Sequence, residues 1–133
     1  MTGPETNETA ETSLFTKIID GDIPGRFVWA DDVCVAFATI EPTSPGHVLV
    51  VPRSPYPKWT DAPAPVAAHL ASVAQAIGAA QEDAFGVPRA GMAIAGFDVP
   101  HLHIHVLPLY KISDIDPAHA RAASGEGLDA VGL

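Results

Sequence analysis

The residues best suited to chemistry in this chain are His101, His103 and His105, set two apart in His101-Leu102-His103-Ile104-His105-Val106-Leu107. Successive side chains of an extended strand point to opposite faces, so the spacing predicts a strand over 101–107 with three imidazoles on one surface. Leu102, Ile104 and Val106 then face the other way, into a core. An unperturbed imidazole titrates near about 6.5 and serves as nucleophile, acid–base group or metal ligand. A single strand suits a metal poorly: His101 and His105 would stand about 13 Å apart at about 3.3 Å per residue. Zinc–nitrogen bonds are only about 2.0 to 2.1 Å long, so His47 from a neighbouring strand would have to help. Phosphoryl or nucleotidyl chemistry fits the pattern better.

Three further blocks stand upstream in order: Phe15-Thr16-Lys17-Ile18-Ile19-Asp20-Gly21-Asp22-Ile23-Pro24; Val35-Ala36-Phe37 followed by Ile40-Glu41-Pro42; and Pro45-Gly46-His47-Val48-Leu49-Val50-Val51-Pro52. With the triad they resemble the histidine triad family of nucleotide-binding hydrolases and transferases over residues 14 to 110. The resemblance implies an α+β fold, an antiparallel sheet of about five strands with one short N-terminal helix and one long helix packed on it, paired as a homodimer. It also implies reaction at the α-phosphate of a nucleotide. His103 would attack phosphorus and form a nucleotidyl-histidine intermediate, splitting one displacement into two easier ones. His105 would contact the phosphate or the departing group, His101 would support the site, and His47 would hold the His103 ring in its reactive tautomer. Phe15, Ile18, Phe37, Thr39, Ile40 and Gly96 would border the substrate.

Several positions depart from that family pattern. Many members hold a structural zinc with a Cys-x-x-Cys near the start, a histidine after the third strand and the first triad histidine. Here Ser13 and Thr16 take the cysteine positions, and Arg53-Ser54-Pro55-Tyr56 has no histidine. Zinc needs about four nitrogen, sulfur or carboxylate ligands, so neither a structural metal nor a cofactor is expected. Thr39 stands where members often carry a ribose-binding Asp, and a hydroxyl lacks the two-oxygen, charge-assisted grip of a carboxylate. The loop Ala95-Gly96-Phe97-Asp98-Val99-Pro100 is short and offers neither side-chain amide nor hydroxyl. Gly96 can still present backbone N–H groups to an anion, and Asp98 is read as a turn residue.

The 133 residues fit one domain, read as an N-terminal segment 1–12 without order, a domain over 13–112 and a C-terminal tail 113–133. A net charge of −9 argues against nucleic-acid polymers, which select for Lys and Arg clusters. A mononucleotide or nucleotide conjugate needs only a few local donors. Cys34 is the only cysteine and is read as an inert core thiol with nothing basic beside it. Residues 2–12 carry no basic or apolar run, and no stretch is long enough to span a bilayer, so no membrane contact and a cytoplasmic location are expected.

The elements that must position the histidines follow from pattern. A short helix is predicted from Ser13 to Asp20, with Ser13 as N-cap and Gly21 as the stop. Strands are predicted over Arg26–Ala30, Val33–Thr39, His47–Val51 and Ala90–Ala95. Val66, Leu70, Val73 and Ile77 form the apolar stripe of a helix from Ala64 to Phe85, ended by Gly86, with Gly78 costing about 1 kcal/mol of helix propensity. His69 beside the stripe is read as a surface residue, Trp59 as a packing residue, and His119 as solvated in a short helix over 117–123. The function expected is a nucleotide phosphoramidase or dinucleotide hydrolase. The alternatives are a nucleotide- or phosphate-binding module with little turnover and, after that, a histidine metal site; hydrolase and transferase are not distinguished.

Overall fold

Ser13 starts the first helix by turning its side chain onto the backbone. Its Oγ accepts the N–H of Thr16 at 3.1 Å, and α1 (Leu14–Ile19) buries Phe15 and Ile18 on one face. The structure, a computed structural model, describes residues 13–97, 99–116 and 118. The segment 1–12, the Asp98 turn, His119 and, except for Ala118, the short helix over 117–123 lie outside the described residues.

Strands β1 (Phe27–Ala30) and β2 (Cys34–Ala38) pair antiparallel around a turn tied by Asp31, whose Oδ1 accepts the N–H groups of Val33 and Cys34, each at 2.8 Å. The chain continues through β3 (Val48–Pro52), a single 3-10 turn (Trp59–Asp61) and the long helix α2 (Ala64–Phe85). After it come β4 (Arg89–Ala93), β5 (Ile104–Leu109) and a second 3-10 turn (Ile112–Ile115). The five strands form one antiparallel sheet in the order β1-β2-β3-β5-β4. This is the α+β architecture expected.

Strands β2 and β3 are buried on both faces, and the strand period sorts their side chains into two cores. Cys34, Ala36, Val48, Val50, Ile104 and Val106 pack under Leu70, Val73, Ala74 and Ile77 of α2. Val35, Phe37, Leu49 and Val51 pack under Phe15 and Ile18 of α1. The predicted α2 stripe and bounds are those observed, and Gly86 closes the helix in the left-handed conformation at φ 64°. Gly78 has a packing reason: a Cβ there would stand 3.2 Å from Ala90 Cβ on β4, so its bare face lets helix and sheet approach.

The triad segment differs from expectation at its first three residues. The strand begins at Ile104, because the amides before it bond elsewhere: His101 N donates to Val99 O at 2.8 Å and Leu102 N to Tyr56 O at 2.7 Å. The alternation of faces survives this. Leu102, Ile104 and Val106 lie in the α2-side core, while His105 pairs with Leu49 of β3, a residue of the α1-side core. Among the described residues no helix is long and apolar enough to cross a membrane.

Candidate active site

His101 and His103 arrive from the segment before β5, His105 from β5 itself, and His47 from the residue just before β3. The rings of His103 and His105 are 5.1 Å apart between centroids, as are those of His47 and His105. His47, His101 and His103 are buried, and His105 is half-buried.

A carbonyl oxygen only accepts and a backbone N–H only donates, so the partners fix which nitrogen carries the proton in each neutral ring. His101 donates from Nε2 to Pro52 O at 2.7 Å and accepts at Nδ1 from Ser13 Oγ at 2.8 Å. His47 accepts the Thr43 N–H at Nδ1 at 3.1 Å, so its proton sits on Nε2 and is given to His105 Nδ1 at 2.9 Å. His105 in turn carries its proton on Nε2. His103 is the reverse case: Nδ1–H donates to His101 O at 2.8 Å, which puts the lone pair on Nε2. His103 therefore holds a lone pair at Nε2 where its neighbour His105 holds an N–H.

Electrostatics keep the supporting rings neutral. Burial, with the adjacent His105 adding to it, lowers the His47 pKa to about 3. Burial also lowers that of His101, against the opposing effect of the Pro52 carbonyl, and His103 lowers it further. The ring that His47 bonds is His105, and the group bonded to His103 Nδ1 is the backbone carbonyl of His101.

Phe15 packs edge-on against His103 at 4.8 Å and His101 at 5.9 Å between centroids, and against Phe37 at 5.7 Å. Phe15, Ile18 and Phe37 are all buried, so they form a packed wall behind the histidines. Ile40 is 74% exposed. The Thr39 hydroxyl accepts the N–H of Glu41 at 3.2 Å, tying up the side chain in its own turn. Gly96, at φ 87°, lines a cavity that also touches His103. Trp59 is not the packing residue expected; it is 57% exposed on the wall of that same cavity.

The residues at the two cysteine positions of the family pattern offer hydroxyls in place of thiolates. Ser13 Oγ and Thr16 Oγ1 approach His101 Nδ1 at 2.8 and 3.5 Å, and the other ring nitrogen is bonded to Pro52 O. Hydrogen bonds among Ser13, Thr16 and His101, with Pro52 O on the other ring nitrogen, bridge α1 and the triad segment. A second cluster, Asp31, Cys34 and His69, brings ligand-type atoms within 4.8 Å of one another. It is explained by hydrogen bonds: Asp31 Oδ2 accepts from Trp29 Nε1 at 2.8 Å and His69 Nε2 at 2.7 Å, while Oδ1 holds the β1–β2 turn. His69 is thus a half-exposed tie from α2 to that turn. Cys34 is fully buried, and burial with the nearby Asp31 pushes its thiol up to about 12, in keeping with an inert core residue.

Sequence reasoning missed Thr43 and the bond between Ser13 and His101. Thr43 acts through its backbone N–H, which no residue type advertises, and the only signal for Ser13 was its helix-cap position.

Comparison with known proteins places this geometry. The HIT domain family model matches residues 20–112. A HIT-like protein of Synechocystis is 36% identical over 103 residues, covering 74% of this chain and 90% of that one. The purine nucleoside phosphoramidase of Escherichia coli is 33% identical over 105 residues, covering 74% of this chain and 87% of that one. The crystal structure of a Hit-like protein of Bartonella henselae superposes with a TM-score of 0.78 at 27% identity, covering 92% of each chain. With its triad, its sheet order and these likenesses, the chain belongs to the HIT domain family.

Proposed function

We propose that this chain is a nucleotide phosphoramidase or dinucleotide hydrolase that works through a nucleotidyl-His103 intermediate. The Nε2 lone pair of His103 attacks the α-phosphorus, and the new N–P bond forms as the bond to the departing amine or phosphate breaks. His105 gives the departing group its Nε2 proton. Water then attacks phosphorus and returns a proton to His105 Nε2 as the N–P bond breaks, so the nucleoside monophosphate leaves with His103 and His105 both restored. The carrying observation is the His103 Nδ1–H bond to His101 O at 2.8 Å, which sets the attacking nitrogen. Similarity to the purine nucleoside phosphoramidase of Escherichia coli supports the substrate class. An acceptor other than water would make the same first step a transfer. A homodimer is part of the proposal, supported by the outer position of β4 in the sheet and by Met92 on it, 55% exposed.

A second reading, a nucleotide-binding module with little turnover, is favoured by one observation. The Thr39 hydroxyl already accepts the Glu41 N–H and has no carboxylate grip to offer a ribose. Hydrolysis of adenosine 5'-phosphoramidate without added metal separates the two. Turnover by the native protein that disappears in His103→Ala supports the hydrolase. Saturable AMP binding by calorimetry with no turnover supports the binding module.

A further inference from the structure

Resting on the hydrolase reading, the cavity beside His103 identifies what the departing group looks like. Its volume is about 140 Å³, and its walls come from two loops, Lys58 and Trp59 ahead of α2 and Ile94 to Gly96 after β4. Phe15 fills one flank of His103 with a buried ring, so the reactive ring stands between a packed wall and an open chamber.

Trp59 is the unusual residue of that chamber. Tryptophan gains most from having its large apolar surface covered, yet here it is 57% exposed, in a 3-10 turn fixed by the bonds Asp61 N to Lys58 O and Ala62 N to Trp59 O. An uncovered indole, carried on a hydrogen-bonded turn at the wall of a chamber that ends on a nucleophile, is a stacking surface for a ligand ring. Lys58 adds charge. Its side chain is 70% exposed, with the ammonium 3.9 Å from Asp61 Oδ1, and exposed pairs of this kind hold together weakly in water. The ammonium therefore has capacity for an anion arriving beside the indole.

Size decides between ligands that carry both a ring and a negative charge. A cavity of about 150 Å³ accommodates one benzene ring. The chamber matches a single six-membered ring and is too small for a whole second nucleotide.

We propose that Trp59 and Lys58 form the leaving-group subsite, and that it selects nucleotide conjugates whose departing amine carries one planar ring with an acidic substituent. Trp59 stacks the ring and Lys58 pairs the acid, which holds the scissile P–N bond against His103.

The test compares kcat/KM for three AMP phosphoramidates, those of ammonia, benzylamine and (aminomethyl)benzoate, in the native protein and in Trp59→Ala, Trp59→Phe and Lys58→Gln. The native protein is expected to prefer benzylamine over ammonia, and Trp59→Ala to reduce that ratio about 10-fold, the scale of one lost ring-stacking contact. Trp59→Phe, which keeps a ring, should restore most of the ratio. Lys58→Gln should reduce the preference for the carboxylated amine over benzylamine, about 5-fold, while leaving the ring preference in place. Ratios that do not move in Trp59→Ala, or native rates indifferent to the amine, overturn the subsite while the hydrolase reading stands. No native turnover of any of the three conjugates overturns both.

Discussion

His47 Nε2 lies 2.9 Å from His105 Nδ1, and the Thr43 N–H on the other nitrogen of His47 sets the direction in which that bond carries its proton. The consequence is a relay of fixed tautomers from a loop amide to the edge of the reaction centre. Removing its middle member should free His105 to turn or to reverse its proton. We expect His47→Ala to lower kcat for phosphoramidate hydrolysis by about 10- to 100-fold, part of what a positioned acid contributes, with a smaller change in KM. Steady-state kinetics check this. A change in KM alone would mean that His47 serves binding.

The same burial makes the fold sensitive to acid. His47, near 3 in the folded state against about 6.5 when unfolded, binds its proton more readily in the unfolded chain, and the lowered pKa of His101 acts in the same sense. The His47 contribution is complete above about pH 6.5 and is lost as pH falls from there toward 3, and that of His101 is lost in the same direction. Thermal melts should therefore show Tm decreasing from pH 7 to pH 4, with a shallower slope in His47→Gln. Parallel slopes for the two proteins would show that His47 titrates alike folded and unfolded.

Ser13 joins two tasks, capping α1 through the Thr16 N–H and supplying the proton that His101 Nδ1 accepts. Ser13→Ala removes a helix cap and leaves a buried imidazole nitrogen without that donor. A loss of about 1 to 3 kcal/mol of unfolding free energy follows from either effect at ordinary strength. Urea unfolding measures it, and Ser13→Thr should recover part of the loss because it keeps the hydroxyl.

What could be read in advance divides along the same line. The helix α2 was legible to its bounds, because Val66, Leu70, Val73 and Ile77 repeat at helical spacing and Gly86 takes a left-handed cap. The two-faced burial of the triad segment was legible from alternation, even though His101 to His103 lie outside the strand. Their departure from the ladder depends on Leu102 N meeting Tyr56 O, a contact between distant parts of the chain with no local signature. Thr43 went unseen because it contributes a backbone amide. Trp59 was misread because tryptophan is commonly buried, and its exposure here arises from how two loops, far apart in sequence, leave a chamber between them.

Asp31 offers a test of whether the β1–β2 turn and α2 are held by charge-assisted hydrogen bonds. Burial tends to raise its pKa, but the bonds from Trp29, the Cys34 amide, His69 and the Val33 amide outweigh it and hold the carboxyl well below the usual carboxylate range. Asp31→Asn keeps one oxygen for the two turn amides and replaces the other by an NH2 group, which cannot accept from Trp29 Nε1 or His69 Nε2. A destabilisation of about 1 to 2 kcal/mol is expected, given that both lost bonds are partly exposed. Because Asp31 is not part of the chamber at His103, kcat/KM should stay within about 2-fold, as surface changes away from a site usually allow. Unfolding followed by tryptophan fluorescence gives the first number and phosphoramidate kinetics the second. A large kinetic loss with unchanged stability would mean that Asp31 and His69 influence the reaction centre through α2.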